Sequence, residues 1–231
     1  MYQLFIGNKN YSSWSLRPWL LMTELGIAFD EQLVNFDGPD NLQKFRTFAP
    51  NGKVPCLHHQ DSANTLVIWE SLAIVEYLAE RHSAVWPTNP AARAYARSAA
   101  SEMHAGFATL RNTCPMSVGL RLQMVNPPAG LKADLLRLTE LWQQGLTQFG
   151  GPFLAGDHFT AVDAFFAPVA FRVQSYGLHL APKAQAYVEL LLKLPGMQAW
   201  QDAALAERSR EPSHEAAPLQ YAELIADLRQ R

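Results

Sequence analysis

The chain has 231 residues, 48% of them hydrophobic, and a formal net charge of -2. That length and apolar content suffice to bury a sizeable core and favour two domains over one. The near-neutral balance, with no basic run, supplies none of the counterion release that drives nucleic-acid binding, so no nucleic-acid partner is expected. No stretch approaches the roughly 18 apolar residues of a membrane span, and the opening MYQLFIGNKN lacks a cationic segment ahead of an apolar one; a soluble cytoplasmic protein with no membrane partner is expected. Cys56 and Cys114, the 2 cysteines, show no ligand or disulfide spacing, and His58 and His59, as neighbours on a strand, face opposite ways, so no metal is expected.

In chain order, Tyr2 to Ile6 reads as a strand, Leu16 to Leu25 as a helix stopped by Gly26, and Phe29 to Val34 as a second strand parallel to the first. After a loop or short helix, Val54 to Leu57 and Thr65 to Trp69 flank the polar stretch HHQDSAN, which predicts an antiparallel hairpin. Glu70 to Arg81 carries Leu72, Val75, Leu78 and Ala79 on one helical face. HSAVWPTNP then reads as a linker, and beyond it no convincing strand is found. Tyr95, Ala99, Met103, Phe107 and Leu110 recur at helical spacing, as do Leu131, Leu135, Leu138, Trp142, Leu146 and Phe149; packed core is the plainest reading of both stripes. In FTAVDAFFAPVAF, Thr160 caps a helix, Asp163 sits near its positive end, and Pro168 is expected to bend it. The tail ending in DLRQR carries no legible pattern.

Three short stretches could hold chemistry. In NYSSWSLRPWL, Pro18 fits best within the first three helical positions, which points to Ser15 as the cap and leaves Ser12 and Ser13 at the carboxyl end of the first strand, where open α/β sheets bind ligands; equally, one of those two could be the cap. In NGKVP, Pro55 removes a ladder hydrogen bond and could be cis, so Val54 could offer its backbone to an extended peptide, or the stretch could be a simple edge turn. In WESLAIVEYLAE, the helix start at Glu70 and Ser71 suits the carboxylate and ammonium of an amino acid, although serine there is also an ordinary cap.

Taken jointly, the order β-α-β-α-β-β-α, the serines before the first helix, VP opening the third strand, ESLAIVEYL opening the third helix and the helical half with FLAGDHFTAVDAFFAP resemble a cytosolic glutathione S-transferase over about residues 1 to 210. The resemblance implies a thioredoxin-like α/β domain with a mixed four-stranded sheet over residues 1–81, a linker over 82–90, an all-α domain over 91–231, and a homodimer. It implies glutathione as co-substrate and a small hydrophobic electrophile as its partner. The S-S-x-S-x-R pattern of serine-type members is reproduced from Ser12 to Arg17, which implies Ser12 at the sulfur, with Ser13 as the other choice. Val54 would pair with the cysteinyl backbone beside a cis Pro55, Glu70 and Ser71 would hold the γ-glutamyl end, and Lys53 would reach the glycyl carboxylate. Met103, His104, Phe107, Leu110 and Arg111, with Cys114, would line the acceptor pocket, where His104 and Arg111 either orient an anionic substrate or face solvent.

The expected mechanism follows from the thiol, which titrates at about 8.5 when free. Lowering that by about two units requires roughly 2.7 kcal/mol, which one hydrogen bond to a charged group (about 1.5–3 kcal/mol) and a helix start (about 0.3–1 kcal/mol) can supply. A serine cannot form the mixed disulfide of thiol-transferring relatives. Maleylacetoacetate isomerases of the zeta class carry S-S-C where this chain has Trp14, and an arginine where it has Ser175, with Arg172 one turn earlier. Such an isomerase, and a non-catalytic binding module of the stringent-starvation type, are the alternatives to a transferase or peroxidase.

Overall fold

The computed structural model describes residues 1–36, 38, 40–61 and 64–230. Strands β1 (Tyr2–Ile6), β2 (Asp30–Leu33), β3 (Cys56–Gln60) and β4 (Thr65–Trp69) form one mixed sheet in the order β2-β1-β3-β4. β1 runs parallel to β2, and β3 runs antiparallel to both β1 and β4. The parallel pair needs a crossover, supplied by helix α1 (Ser13–Glu24); the antiparallel β3–β4 pair needs only a short connection, and Ser62 and Ala63 lie outside the described residues. Helix α2 (Asn41–Arg46) lies between β2 and β3, and α3 (Ser71–Ala79) follows β4.

Alternation along β1 decides which face is covered. Leu4 and Ile6 are wholly buried with Leu16 and Leu20 of α1 and Ile74, Val75 and Leu78 of α3, whereas Phe5 points to the other face and stacks on Phe48 at 4.4 Å. His58 and His59 obey the same rule: one donates to the Phe48 carbonyl at 2.7 Å and the other meets the Tyr77 hydroxyl at 2.6 Å.

The second half is built of α4 (Pro90–Ala105), α5 (Ala108–Thr113), α6 (Ala129–Gln148), α7 (Ala161–Tyr176), α8 (Pro182–Leu192), α9 (Pro195–Ala206) and α10 (Pro212–Ala216). Its core is continuous with that of the first half, because α7, buried on nearly every side, packs directly on α1. Each large apolar side chain in that seam contributes about 1.5–3 kcal/mol of transfer free energy. The expected capping box is present at α7, where the Thr160 amide donates to Asp163 at 3.0 Å.

Four expectations are corrected. The second half is not wholly helical: β5 (Leu120–Met124) pairs antiparallel with β6 (Ala222–Asp227), so the tail closes on the body as a strand. In LRLQM, Leu120 and Leu122 are buried, a two-residue alternation set among helical spacings; β6 buries Ala222 at its start but exposes Leu224 and Ile225, so no alternation of large apolar residues marks it. The third strand begins at Cys56 rather than Val54, because Pro55 has no N–H for the ladder. The first helix begins at Ser13 with Ser12 at the cap position, so Ser15 is inside it and Pro18 is its sixth residue. The stripe from Tyr95 to Leu110 is two helices: α4 stops at Gly106, and Phe107 takes a left-handed φ of 54° before α5.

Candidate active site

A cavity of about 160 Å³ is lined by Trp14, Asn51, Lys53, Val54, Pro55, Glu70 and Ser71. All five residues expected to hold glutathione therefore meet at one place, between the start of β3 and the start of α3. The Val54–Pro55 bond is cis, and the ladder register begins at Cys56, so the Val54 amide and carbonyl lie outside the sheet's own pairing. Asn51, to which the sequence reading gave no role, ties the two edges together: its Oδ1 accepts from the Lys53 amide at 3.0 Å and its Nδ2 donates to Glu70 at 3.4 Å. An asparagine ahead of glycine in a turn is the signal that could have found it.

The start of α3 is unusual in two ways. Glu70 has φ 71° and ψ 128°, a region that costs a non-glycine residue roughly 1–3 kcal/mol and concentrates at functional positions. Ser71 is 1% exposed, yet its hydroxyl has no hydrogen-bond partner among the described residues, a state that costs about 1–3 kcal/mol. Free amides, an unpartnered hydroxyl and a carboxylate thus converge on one small cavity, a donor and acceptor set that matches an α-amino acid. A larger hollow of about 720 Å³ beside Glu76, Arg93 and Arg97 brings together none of these groups.

The serines divide. Ser12 is 5% exposed and its hydroxyl donates inward to Ser15 at 2.7 Å, while Ser15 also accepts the Gly7 amide at 3.1 Å. Ser12 is therefore turned into the protein, against the expectation that places it at a sulfur. Ser13, the first residue of α1, is half-buried, and its hydroxyl makes no hydrogen bond among the described residues. Next to it Trp14 forms the cavity wall.

Behind Trp14 lies a cluster of arginines with one histidine. The Arg17 guanidinium stands 4.1 Å from the Trp14 ring and 4.9 Å from that of Phe165, with Arg111 5.3 Å from Trp14 and His104 edge-on to it at 5.2 Å. Arg17 is buried, and its Nε and Nη1 have no partner among the described residues; buried Arg172 donates through Nε to the Cys114 carbonyl at 2.8 Å and leaves Nη1 unpaired. Burial, then Arg172 and Arg111, lowers the Arg17 pKa, and burial brings Arg172 down to about 10. Burial, followed by Arg17, also lowers that of His104. An arginine inside the apolar run SLRPWLL is the sequence signal for this cluster.

The other acceptor residues do not gather as expected. Met103 and Leu110 are 0% exposed and belong to the core, as does Phe107, so of the five only half-buried His104 and Arg111 stand beside Trp14. Cys114 and Cys56 are buried too, and burial pushes both thiols up to about 12, which leaves them unreactive near neutrality. Ser175 donates to the Ser117 carbonyl at 2.8 Å and is buried. Among the described residues there is no cluster able to hold a metal and no helix long and apolar enough to cross a membrane.

Residues 11–81 match the glutathione S-transferase N-terminal domain family, and residues 92–203 match its C-terminal domain family. The chain is 28% identical over 184 residues to a probable maleylacetoacetate isomerase of Caenorhabditis elegans, covering 75% of this chain and 79% of that one. It is 26% identical over 205 residues to the glutathione S-transferase GstB of Escherichia coli K12, covering 84% and 95%. The solved theta class glutathione S-transferase of the citrus canker pathogen Xanthomonas axonopodis pv. citri, with glutathione bound, has a TM-score of 0.60 at 26% identity, over 90% of this chain and 99% of that one.

Proposed function

The chain belongs to the glutathione S-transferase family, and from that premise we propose that it ionises glutathione at the start of α1 and transfers the thiolate to small electrophiles or uses it to reduce peroxides. The reading rests on one observation: Lys53, Val54, Pro55, Glu70 and Ser71 line a single cavity in which the Ser71 hydroxyl has no protein partner among the described residues. Residues 1–81 are taken as the glutathione-binding domain, 82–90 as the linker and 91–231 as the domain that receives the acceptor. The working form is a cytoplasmic homodimer.

In this reading the tripeptide lies along Val54, pairing its cysteinyl backbone as an added strand would. Its α-carboxylate meets the amides and hydroxyl at Ser71, its ammonium meets Glu70, and its glycyl carboxylate meets Lys53. The sulfur then lies by the first turn of α1, where the amides lack intrahelical partners and Ser13 adds a hydroxyl donor. The thiol proton leaves to solvent. In transfer the sulfur forms a bond to carbon and the displaced group departs with its electron pair. In peroxide reduction the sulfur takes one oxygen and releases an alcohol, and a second glutathione converts the sulfenic acid to disulfide and water. The acceptor meets Trp14 and the arginines behind it.

Retention on immobilised glutathione, with release by the free tripeptide, tests the reading. Glu70→Ala protein is expected to flow through. Wild-type protein that also flows through overturns it and favours a binding module.

A further inference from the structure

The loop that carries the serines is held from outside its own domain. Asn8, Lys9, Asn10 and Tyr11 connect β1 to α1 and are all at least nine-tenths buried. The amides and carbonyls of Lys9 and Asn10 are all bonded to the second half of the chain. Glu207, just past α9, accepts the Lys9 amide at 2.5 Å through Oε1 and the Asn10 amide at 3.1 Å through Oε2, which also takes the Asn10 side-chain amide at 3.1 Å. Trp200 donates to the Lys9 carbonyl at 2.8 Å, and the Val118 amide to the Asn10 carbonyl at 3.2 Å.

The tail doubles this hold. The Tyr11 hydroxyl donates to Glu215, which Arg229 grips in a paired ion bridge, while Arg229 also binds Asp227 at the end of β6. The Tyr11 ring stacks on His214 at 5.0 Å, and His214 stacks on Phe36 at 4.9 Å. The family match to the second half ends at residue 203, so Glu207, Glu215 and Arg229 all lie beyond it. This stretch adds to the shared fold a set of contacts aimed at one loop.

We propose that Glu207 is a positioning residue for glutathione activation: by receiving the Lys9 and Asn10 amides it fixes the loop from β1 into α1, and so the aim of Ser13 and of the first-turn amides at the sulfur. The inference rests on the function proposed above. A carboxylate is needed because three N–H donors converge on two oxygens; a glutamine would turn an NH2 group against at least one of them.

Sign separates this role from a plain charge effect. Removing a negative charge near a thiolate makes ionisation easier and lowers the pH at which it occurs. Misaligning the donors makes it harder and raises that pH. The experiment follows the thiolate absorbance of bound glutathione against pH in wild type and Glu207→Gln, with affinity for S-methylglutathione, which has no thiol to ionise, measured beside it. The expected result is a midpoint raised by ~0.5–1 pH unit, with S-methylglutathione affinity changed by less than about 3-fold, because the lost interaction is felt by sulfur alone. Tyr11→Phe, which keeps the ring and drops only the bond to Glu215, should shift the midpoint the same way by less, and it carries the test should Glu207→Gln fail to fold. An unchanged or lowered midpoint in folded variants overturns the inference while leaving the function standing. Wild-type protein that binds no glutathione overturns both.

Discussion

Two helix starts in this chain have the same ingredients and opposite states. At α7, Asp163 is fully buried and every oxygen is used: Oδ1 accepts the Leu154 amide at 3.0 Å and the Tyr187 hydroxyl at 2.7 Å, and Oδ2 accepts the Thr160 amide at 3.0 Å. At α3, Glu70 sits at a positive φ, makes one long bond to Asn51, and precedes a serine whose hydroxyl has no partner among the described residues. The α7 start closes its own hydrogen bonds, whereas the α3 start, proposed above to bind glutathione, leaves a hydroxyl and a carboxylate largely open.

That contrast can be broken from either side. The largest effect belongs to α7: Asp163→Ala strips the Leu154 and Thr160 amides and the Tyr187 and Thr160 hydroxyls of their acceptor and should cost about 3–4 kcal/mol in chemical denaturation, with glutathione affinity of the folded fraction unchanged. Asp163 also gives a pH signature. Burial, opposed by its hydrogen bonds, pushes its carboxyl up to about 6. The folded chain therefore takes up this proton before the unfolded one, and the site's contribution, full below about pH 4, is lost as pH rises through about 6, a change on the order of 2–3 kcal/mol. Stability measured across that window should show this component in wild type and not in Asp163→Asn.

At α3 the effects fall on binding instead. Glu70→Ala should weaken glutathione by about 30-fold, roughly 2 kcal/mol, in calorimetric titration. Ser71→Ala should weaken it by about 5–10-fold while leaving the melting temperature level or slightly higher, since no protein bond is lost. Glu70→Gly is the smallest and most pointed change: it should raise stability by ~0.5–1 kcal/mol by relieving the positive φ, and still weaken glutathione.

The sequence showed more of α7 than of α3 for the same reason. Thr160 and Asp163 announce a closed local motif, whereas the cavity at Ser71 depends on Asn51 and Pro55, which come from the turn ahead of β3. Period-two and helical patterns located the first sheet and α1, α3, α4, α6 and α7, but not α8, α9 or α10. They failed at the break near Gly106, where a stripe running through Met103 to Leu110 hides a left-handed residue, and at β6, whose exposed leucine and isoleucine imitate no buried face. Residues 53–55 and 70–71, which chain punctuation marks in the sequence, line one cavity in the fold. Ser12 was expected to face the sulfur, whereas its hydroxyl donates to Ser15 one turn on; no role was read for Arg17, whose partners Phe165 and Arg172 come from α7.

The proposed function requires the sulfur of bound glutathione to be held anionic at the start of α1. The direct measurement is a pH titration of thiolate absorbance in the glutathione complex, compared between wild type and Ser13→Ala. The expected wild-type midpoint lies about two pH units below that of the free thiol, and that of the variant about one unit higher than wild type. A complex whose thiol ionises at the same pH as free glutathione would contradict it.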